Sequence, residues 1–353
     1  MNFRSDNIAA VAEPILAAIV AANARSEGGY GADEITGRLK ARFSELFERE
    51  VAVLPTLTGT AANALALAAL VPAYGAIYCH REAHINKEEC GAPEFFTGGA
   101  KLIALSGPRG KIEAQALRAA LARGGTGDVH YAQPAALSLT QETEEGAVYR
   151  PEEVAELAAI ARAHGLAVHM DGARFANAVA ALGCAPADLT WRLGVDALSF
   201  GATKNGALAA EAIVLFRPEL AMPLAFRHKR AGQLVAKMRF VAAQLEAYLA
   251  DGLWLSLARH ANAMAHRLSD GLAALPGAEL VGAVQGNEVF VSLPESVLAG
   301  LERAGVGFYR WPESDAASRT IRLVAAHDTT PDEVEAFLET TRRLLTECGG
   351  RGL

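Results

Sequence analysis

His169-Met170-Asp171-Gly172-Ala173-Arg174 follows a short apolar run, so a strand ends in a carboxylate and then a turn. Further along, Leu198-Ser199-Phe200-Gly201-Ala202-Thr203-Lys204-Asn205-Gly206 repeats the design, with a lysine in the turn. Short apolar runs that each break at a polar turn mark the inner strands of an α/β sheet. In such sheets the carboxyl ends of the strands face the ligand crevice. Asp171 and Lys204 therefore belong on one rim, although Asp171 serves equally well as a cap for a helix starting near Ala173.

Outward from these two turns the same alternation continues. Strands are expected at 51–55, 76–79, 102–106, 136–140, 166–170, 197–200 and 212–216, with helices at 60–70, 112–122, 151–164 and 186–193. Pro151 and Pro186 suit a first helical turn. The result is an α/β unit, a mostly parallel sheet of about seven strands with helices on both faces. After Gly252 the order changes to a helix at 254–274, strands at 279–282, 289–293, 306–310 and 320–324, and a helix at 331–345. This predicts a large domain over 1–252 and a smaller α+β domain over 253–353. Gly/Pro clusters such as 124–128 read as surface turns.

Composition narrows the function classes. The 353 residues are 51% hydrophobic and 21% charged, with a net charge of −7, which lacks the basic field that nucleic-acid binding requires. Cys79, Cys90, Cys184 and Cys348 show no paired spacing of a metal or redox motif, so free thiols, no metal and a cytoplasmic location are the expectation. The apolar run 15–22 is too short to span a bilayer.

Lys204 alone reads as a solvated loop lysine. Desolvated in a crevice, its neutral amine attacks an aldehyde. An acid and a lysine on neighbouring strand ends are what pyridoxal phosphate needs, one to keep the pyridine nitrogen protonated and one to hold the aldehyde carbon. A third piece, Thr58-Gly59-Thr60-Ala61-Ala62-Asn63, opens a long Ala/Leu helix, where free N–H groups and the helix dipole form an anion site. Thr58 alone is an ordinary N-cap.

In combination these residues resemble the low-specificity threonine aldolases, within the aspartate-aminotransferase-like group of pyridoxal-phosphate enzymes (fold type I). The likeness runs over nearly the whole chain: Ser5-Asp6, Tyr30-Gly31-Ala32-Asp33, the 58–63 turn, His84, the 169–174 and Lys204 stretches, and Arg322-Leu323-Val324. It looks most like a bacterial branch that also accepts aromatic β-hydroxy amino acids such as phenylserine.

The resemblance implies roles. Lys204 carries the cofactor, Asp171 pairs with the pyridine nitrogen, and Arg174 lies beside the ring hydroxyl and the substrate carboxylate. Thr58, Gly59 and Thr60 hold the phosphate, and His84 stacks on the ring, although by itself it reads as a surface histidine in an acidic stretch. Arg322, with Arg319 as competitor, forks onto the substrate carboxylate. Ser5 and Tyr30 add substrate contacts. Arg239, or Arg230 or Lys229, reaches a neighbouring subunit's phosphate site in a dimer or tetramer.

Two stretches depart from the family pattern. Gln141-Glu142-Thr143-Glu144-Glu145-Gly146 puts Glu144 where the family has a histidine near the substrate hydroxyl, so Glu144, or His84 with a water, acts there. The loop after Lys204 runs Asn205-Gly206-Ala207 towards Glu211 in place of a Gly/Pro-rich sequence. The implied activity is reversible cleavage of L-threonine, L-allo-threonine and related β-hydroxy-α-amino acids to glycine and an aldehyde. The rivals are another lyase of this fold, β-eliminating on aromatic amino acids, a racemase, and a non-catalytic protein that binds the cofactor.

Overall fold

The inner strands are apolar on both faces because helices cover both. The computed structural model describes residues 1–312 and 317–349. Seven strands form the main sheet: β1 (Ala52–Thr56), β2 (Gly75–His80), β3 (Lys101–Leu105), β4 (Gln133–Thr140), β5 (Ala167–Gly172), β6 (Ala197–Gly201) and β7 (Glu211–Leu215). Their order is β1-β7-β6-β5-β4-β2-β3. Side chains alternate across this sheet with period two. Ala197, Ile213 and Leu215 face the helix Gly59–Leu70, whereas Leu198, Phe200 and Val214 face a second core. In that second core the Phe200 ring meets Phe43 edge-on at 5.2 Å and tilts against Trp254 at 5.8 Å.

Five strands, β3-β2-β4-β5-β6, run parallel. β7 is antiparallel to β6, and β1 is antiparallel to β7. β1 therefore runs with β6, and one rim collects the carboxyl ends of β1, β2, β4, β5 and β6 together with the amino end of β7.

A second sheet holds β8 (Glu279–Leu280), β9 (Glu288–Ser292), β10 (Tyr309–Arg310) and β11 (Thr320–Val324), in the order β10-β11-β9-β8. All its pairs are antiparallel. Val289, Val291, Ile321 and Leu323 share a core with Phe337 and Leu268, so the alternate residues Glu288, Phe290 and Arg322 point the other way. The N-terminal segment joins this layer. Asn2 bridges to Gly307, Phe3 enters the core, and the Val324 N–H donates to the Phe3 carbonyl at 2.9 Å.

The expected strands and helices recur with shifts of a few residues, apart from three differences. The stretch 186–193 is not an α-helix but two 3-10 turns, Pro186–Leu189 and Trp191–Leu193, split at Thr190, whose backbone (φ −128°, ψ −108°) cannot continue a helix. The strand expected from 306 pairs only over Tyr309–Arg310. Helices Glu13–Ala22, Glu34–Leu46, Ala221–Arg230, Arg239–Leu249 and Glu295–Arg303, and the short helices His84–Lys87 and Ala92–Thr97, lie in stretches read as having no element, while the helix offered near Ala173 begins at Phe175. Among the described residues, no helix is long and apolar enough to cross a membrane.

Candidate active site

The shared rim opens on a cavity of about 330 Å³. Lys204, Asp171, Arg174, His84, Glu144 and Arg322 line it, as do Ser5 and the turn Thr58-Gly59-Thr60. The two deciding turns touch because Gly201 has no side chain. A Cβ there would sit 2.5 Å from the Ala173 carbonyl oxygen, so glycine lets the turns after β5 and β6 lie side by side. The Lys204 loop is pinned from beneath by buried Asn205, which donates to Tyr248 Oη at 2.7 Å and to the Trp254 carbonyl at 2.8 Å. It closes at Gly206, where φ of +105° favours glycine.

Asp171 lines the cavity. Its Oδ1 accepts the Ala173 N–H at 3.0 Å, tightening the turn, while the helix itself begins only at Phe175. Its Oδ2 accepts from Asn63 Nδ2 at 2.8 Å. The same nitrogen donates to Glu89 Oε1 at 2.8 Å, and that oxygen meets His84 Nδ1 at 2.9 Å. His84 is thus a half-buried member of a network, and Glu89 raises its pKa by hydrogen bonding against the opposing effect of burial. The backbone N–H of His84 donates to Glu144 Oε1 at 2.7 Å. Glu144 also accepts from Thr140 Oγ1 at 3.1 Å, and its Oε2 has no hydrogen-bond partner among the described residues. Burial, reinforced by the charge of Asp171, pushes the Glu144 carboxyl up to about 7.

The Thr58 hydroxyl accepts the Ala61 N–H at 3.1 Å, as an N-cap does. The N–H groups of Gly59 and Thr60 lie in the first turn, where an α-helix offers no acceptor of its own. At Gly59 an added Cβ would meet no atom within 4 Å, so the turn presents an open cradle.

Charge gathers at the opposite wall. Arg174 forks onto Asp6, Nε to Oδ2 at 2.7 Å and Nη2 to Oδ1 at 3.0 Å, with Nη1 3.4 Å from Glu288. Burial alone would lower the Arg174 pKa, but Asp6 and Glu288 reverse this and hold the guanidinium charged. Arg322 lies 4.0 Å from the same Glu288 oxygen and 5.0 Å over the Trp311 ring. Arg319 does not line the cavity; it donates to the Leu293 carbonyl. Buried Glu142 completes this wall, its pKa raised by desolvation and by the charge of Glu288. On the β7 side, Glu211 accepts the Ala202 N–H at 3.2 Å, and burial raises it to about 7.

Tyr30, Arg230 and Arg239 are not brought into this cavity. Tyr30 is exposed with Lys229 4.4 Å over its ring, Arg230 is exposed, and Arg239 donates to the Ala22 carbonyl at 3.1 Å. Sequence reasoning missed Asp6, Asn63, Glu89, Glu142, Glu211 and Glu288 as working parts. Asp6, Asn63 and Glu142 stood inside quoted motifs. The others sit at irregular turns or strand ends, where no spacing signals convergence.

Residues 2–296 match the beta-eliminating lyase family. The chain is 42% identical over 346 residues to the low specificity L-threonine aldolase of Pseudomonas sp. (strain NCIMB 10558), covering 98% of each. This chain belongs to the low-specificity L-threonine aldolase family. The Escherichia coli (strain K12) member of that family is 32% identical over 204 residues, 54% of this chain and 55% of its own length. The aldolase architecture superposes on a threonine aldolase structure from Leishmania major with a TM-score of 0.91 at 28% identity, covering 98% of this chain and 99% of that one. An aspartate aminotransferase from Rhodobacter sphaeroides shares the fold, with a TM-score of 0.70 at 18% identity over 98% and 92% of the two chains.

Proposed function

We propose that this chain is a pyridoxal-phosphate-dependent carbon-carbon lyase that cleaves L-threonine, L-allo-threonine and related β-hydroxy-α-amino acids, phenylserine included, reversibly to glycine and an aldehyde. The observation that carries this is the convergence of a lysine, an acid and an open helix N-terminus on one cavity whose far wall holds two arginines. The residues fit the cofactor: Gly59 leaves room for its phosphate beside the N–H groups of Gly59 and Thr60, and buried Asp171 faces the same space. When bound, pyridoxal phosphate supplies an electron sink for the pair left at Cα as the Cα–Cβ bond breaks.

The chain's own residues do the rest. Lys204 would hold the cofactor through its aldehyde carbon, Asp171 would keep the ring nitrogen protonated, and His84 would pack against the ring. Arg322, with Ser5 and Arg174, would clamp the substrate α-carboxylate and so select which bond at Cα breaks. Glu144 takes the β-hydroxyl proton on its unpartnered Oε2, and a carboxyl raised to about 7 is matched to that task. Arg230 or Arg239, together with Tyr30, completes the site of a neighbouring copy in a dimer or tetramer, which accounts for their place away from their own cavity. The free thiols Cys79, Cys90 and Cys184 fit a reducing, cytoplasmic setting.

Incubating the purified protein with L-threonine and with phenylserine tests the reading. Glycine with free aldehyde is the expected pair of products. Ammonia with a keto acid would instead favour β-elimination, the reaction in the matching family's name.

A further inference from the structure

Glu89 is buried, follows His84 by one turn of chain, and has no part in the reaction as described above. One of its oxygens, Oε1, meets two nitrogens: Asn63 Nδ2 at 2.8 Å and His84 Nδ1 at 2.9 Å. Asn63 spends its two amide hydrogens on two carboxylates, Glu89 and Asp171. Ionised carboxylates only accept, so the amide nitrogen of Asn63 must face them, and this fixes the side chain's orientation. A charged oxygen held in this way is an acceptor for a ring N–H.

We infer that Glu89 is a positioning residue. It holds the ring proton of His84 on Nδ1, leaving Nε2 as the nitrogen that gains or loses a proton at the cavity, and Asn63 ties this arrangement to Asp171. The inference deepens the proposed function and rests on its reading that His84 faces the reacting groups. The charged groups around the imidazole are Glu88 and Glu89 from its own segment, Asp171 at the end of β5, Lys204 after β6 and Glu144 after β4. Of these, Glu89 alone lies within hydrogen-bond reach of a ring nitrogen, since Glu88 stands 3.8 Å from Nε2. The consequence is a division of labour between the two nitrogens. Asn63 makes the ring's setting depend on the same acid that faces the cofactor nitrogen.

Glu89→Gln separates charge from geometry, because a glutamine Oε1 accepts both hydrogen bonds without the charge. Glu89→Ala removes both. The readout is a titration of the cofactor-free protein labelled with nitrogen-15 histidine, with the His84 signals assigned by their loss in His84→Asn. In the parent, Nδ1 stays protonated across the titration and the midpoint lies above that of an ordinary histidine. In Glu89→Gln, Nδ1 stays protonated and the midpoint falls; in Glu89→Ala the proton distributes to Nε2. An unchanged midpoint in Glu89→Gln, or a parent ring protonated on Nε2 when neutral, overturns the inference. A histidine spectrum otherwise matching the parent shows that each variant is folded. The pH profile of threonine cleavage by the loaded enzyme is the second arm. If the titration shifts as expected while the profile stays fixed, Glu89 still positions the ring and the pH dependence belongs to Glu144 alone; a profile that moves with the titration puts the His84 proton in the reaction as well.

Discussion

Arg174 and Asp6, far apart in the chain, meet through two parallel hydrogen bonds of 2.7 and 3.0 Å. The pair ties the first residues of the chain to the rim of the main sheet. Asp6 is also held by Asn287 Nδ2 at 3.1 Å. Although burial works the other way, Arg174 keeps the Asp6 carboxyl below its ordinary value. Asp6→Ala leaves a buried guanidinium partly uncompensated, and the expected loss is about 3 kcal/mol. Urea unfolding measures it. The contribution is present above the unfolded carboxylate pKa and is lost as pH falls through the folded one, so parent and variant converge in acid.

Glu144 sets the pH dependence of cleavage in the proposed mechanism. Its carboxyl is pushed up to about 7 and must be deprotonated to accept the hydroxyl proton, so the rate falls as pH drops through that value. Glu144→Gln removes this limb and lowers kcat by about 10²–10⁴-fold. A limb that persists in Glu144→Gln and vanishes in His84→Asn would reassign the base to the histidine.

Arg322 is the expected carboxylate clamp. Replacing a planar fork with a point charge in Arg322→Lys sacrifices one charge-assisted hydrogen bond, about 1.5–3 kcal/mol, or about 10–100-fold in kcat/KM for threonine. Arg319→Lys, on the other side of the strand start, leaves kcat/KM unchanged. Steady-state kinetics on the two variants distinguishes the arginines.

Glu142 is a liability for stability. Desolvation and Glu288 raise its pKa well above the ordinary 4.5, so its contribution is fully present below the unfolded value and is lost as pH rises through the folded one. Glu142→Gln is therefore more stable than the parent at about pH 8, by about 1 kcal/mol or a Tm increase of about 2 °C, with no gain at about pH 4. Calorimetry at the two pH values checks this.

The main sheet was legible because its strands are buried on both faces and punctuated by turns, which gives apolar runs such as Leu198–Phe200 a definite length. The direction of β7 was not legible, since Ala212–Leu215 reads the same in either sense. Helices such as Glu295–Arg303 and Glu13–Ala22 escaped because the first is only nine residues long and the second is Ala-rich with a weak amphipathic period. At the site, Asp171, Lys204 and Gly59 were readable as strand-end or helix-start residues. Glu89 and Glu288 were not, because their importance arises from contacts across distant segments, His84 with Asn63 in one case and Arg174 with Arg322 in the other.

The reversal of β7 has a further consequence. Gly201 pairs directly with Glu211, so the chain that leaves the rim after β6 must come straight back to it, with the cofactor-carrying lysine of the proposed mechanism in between. Lengthening this hairpin would displace nucleophile and wall together. Diversification of what the catalyst accepts is thereby channelled elsewhere, to the segment bearing Glu144 and to Trp311 above the clamp, and directed evolution for new aldehydes should begin there.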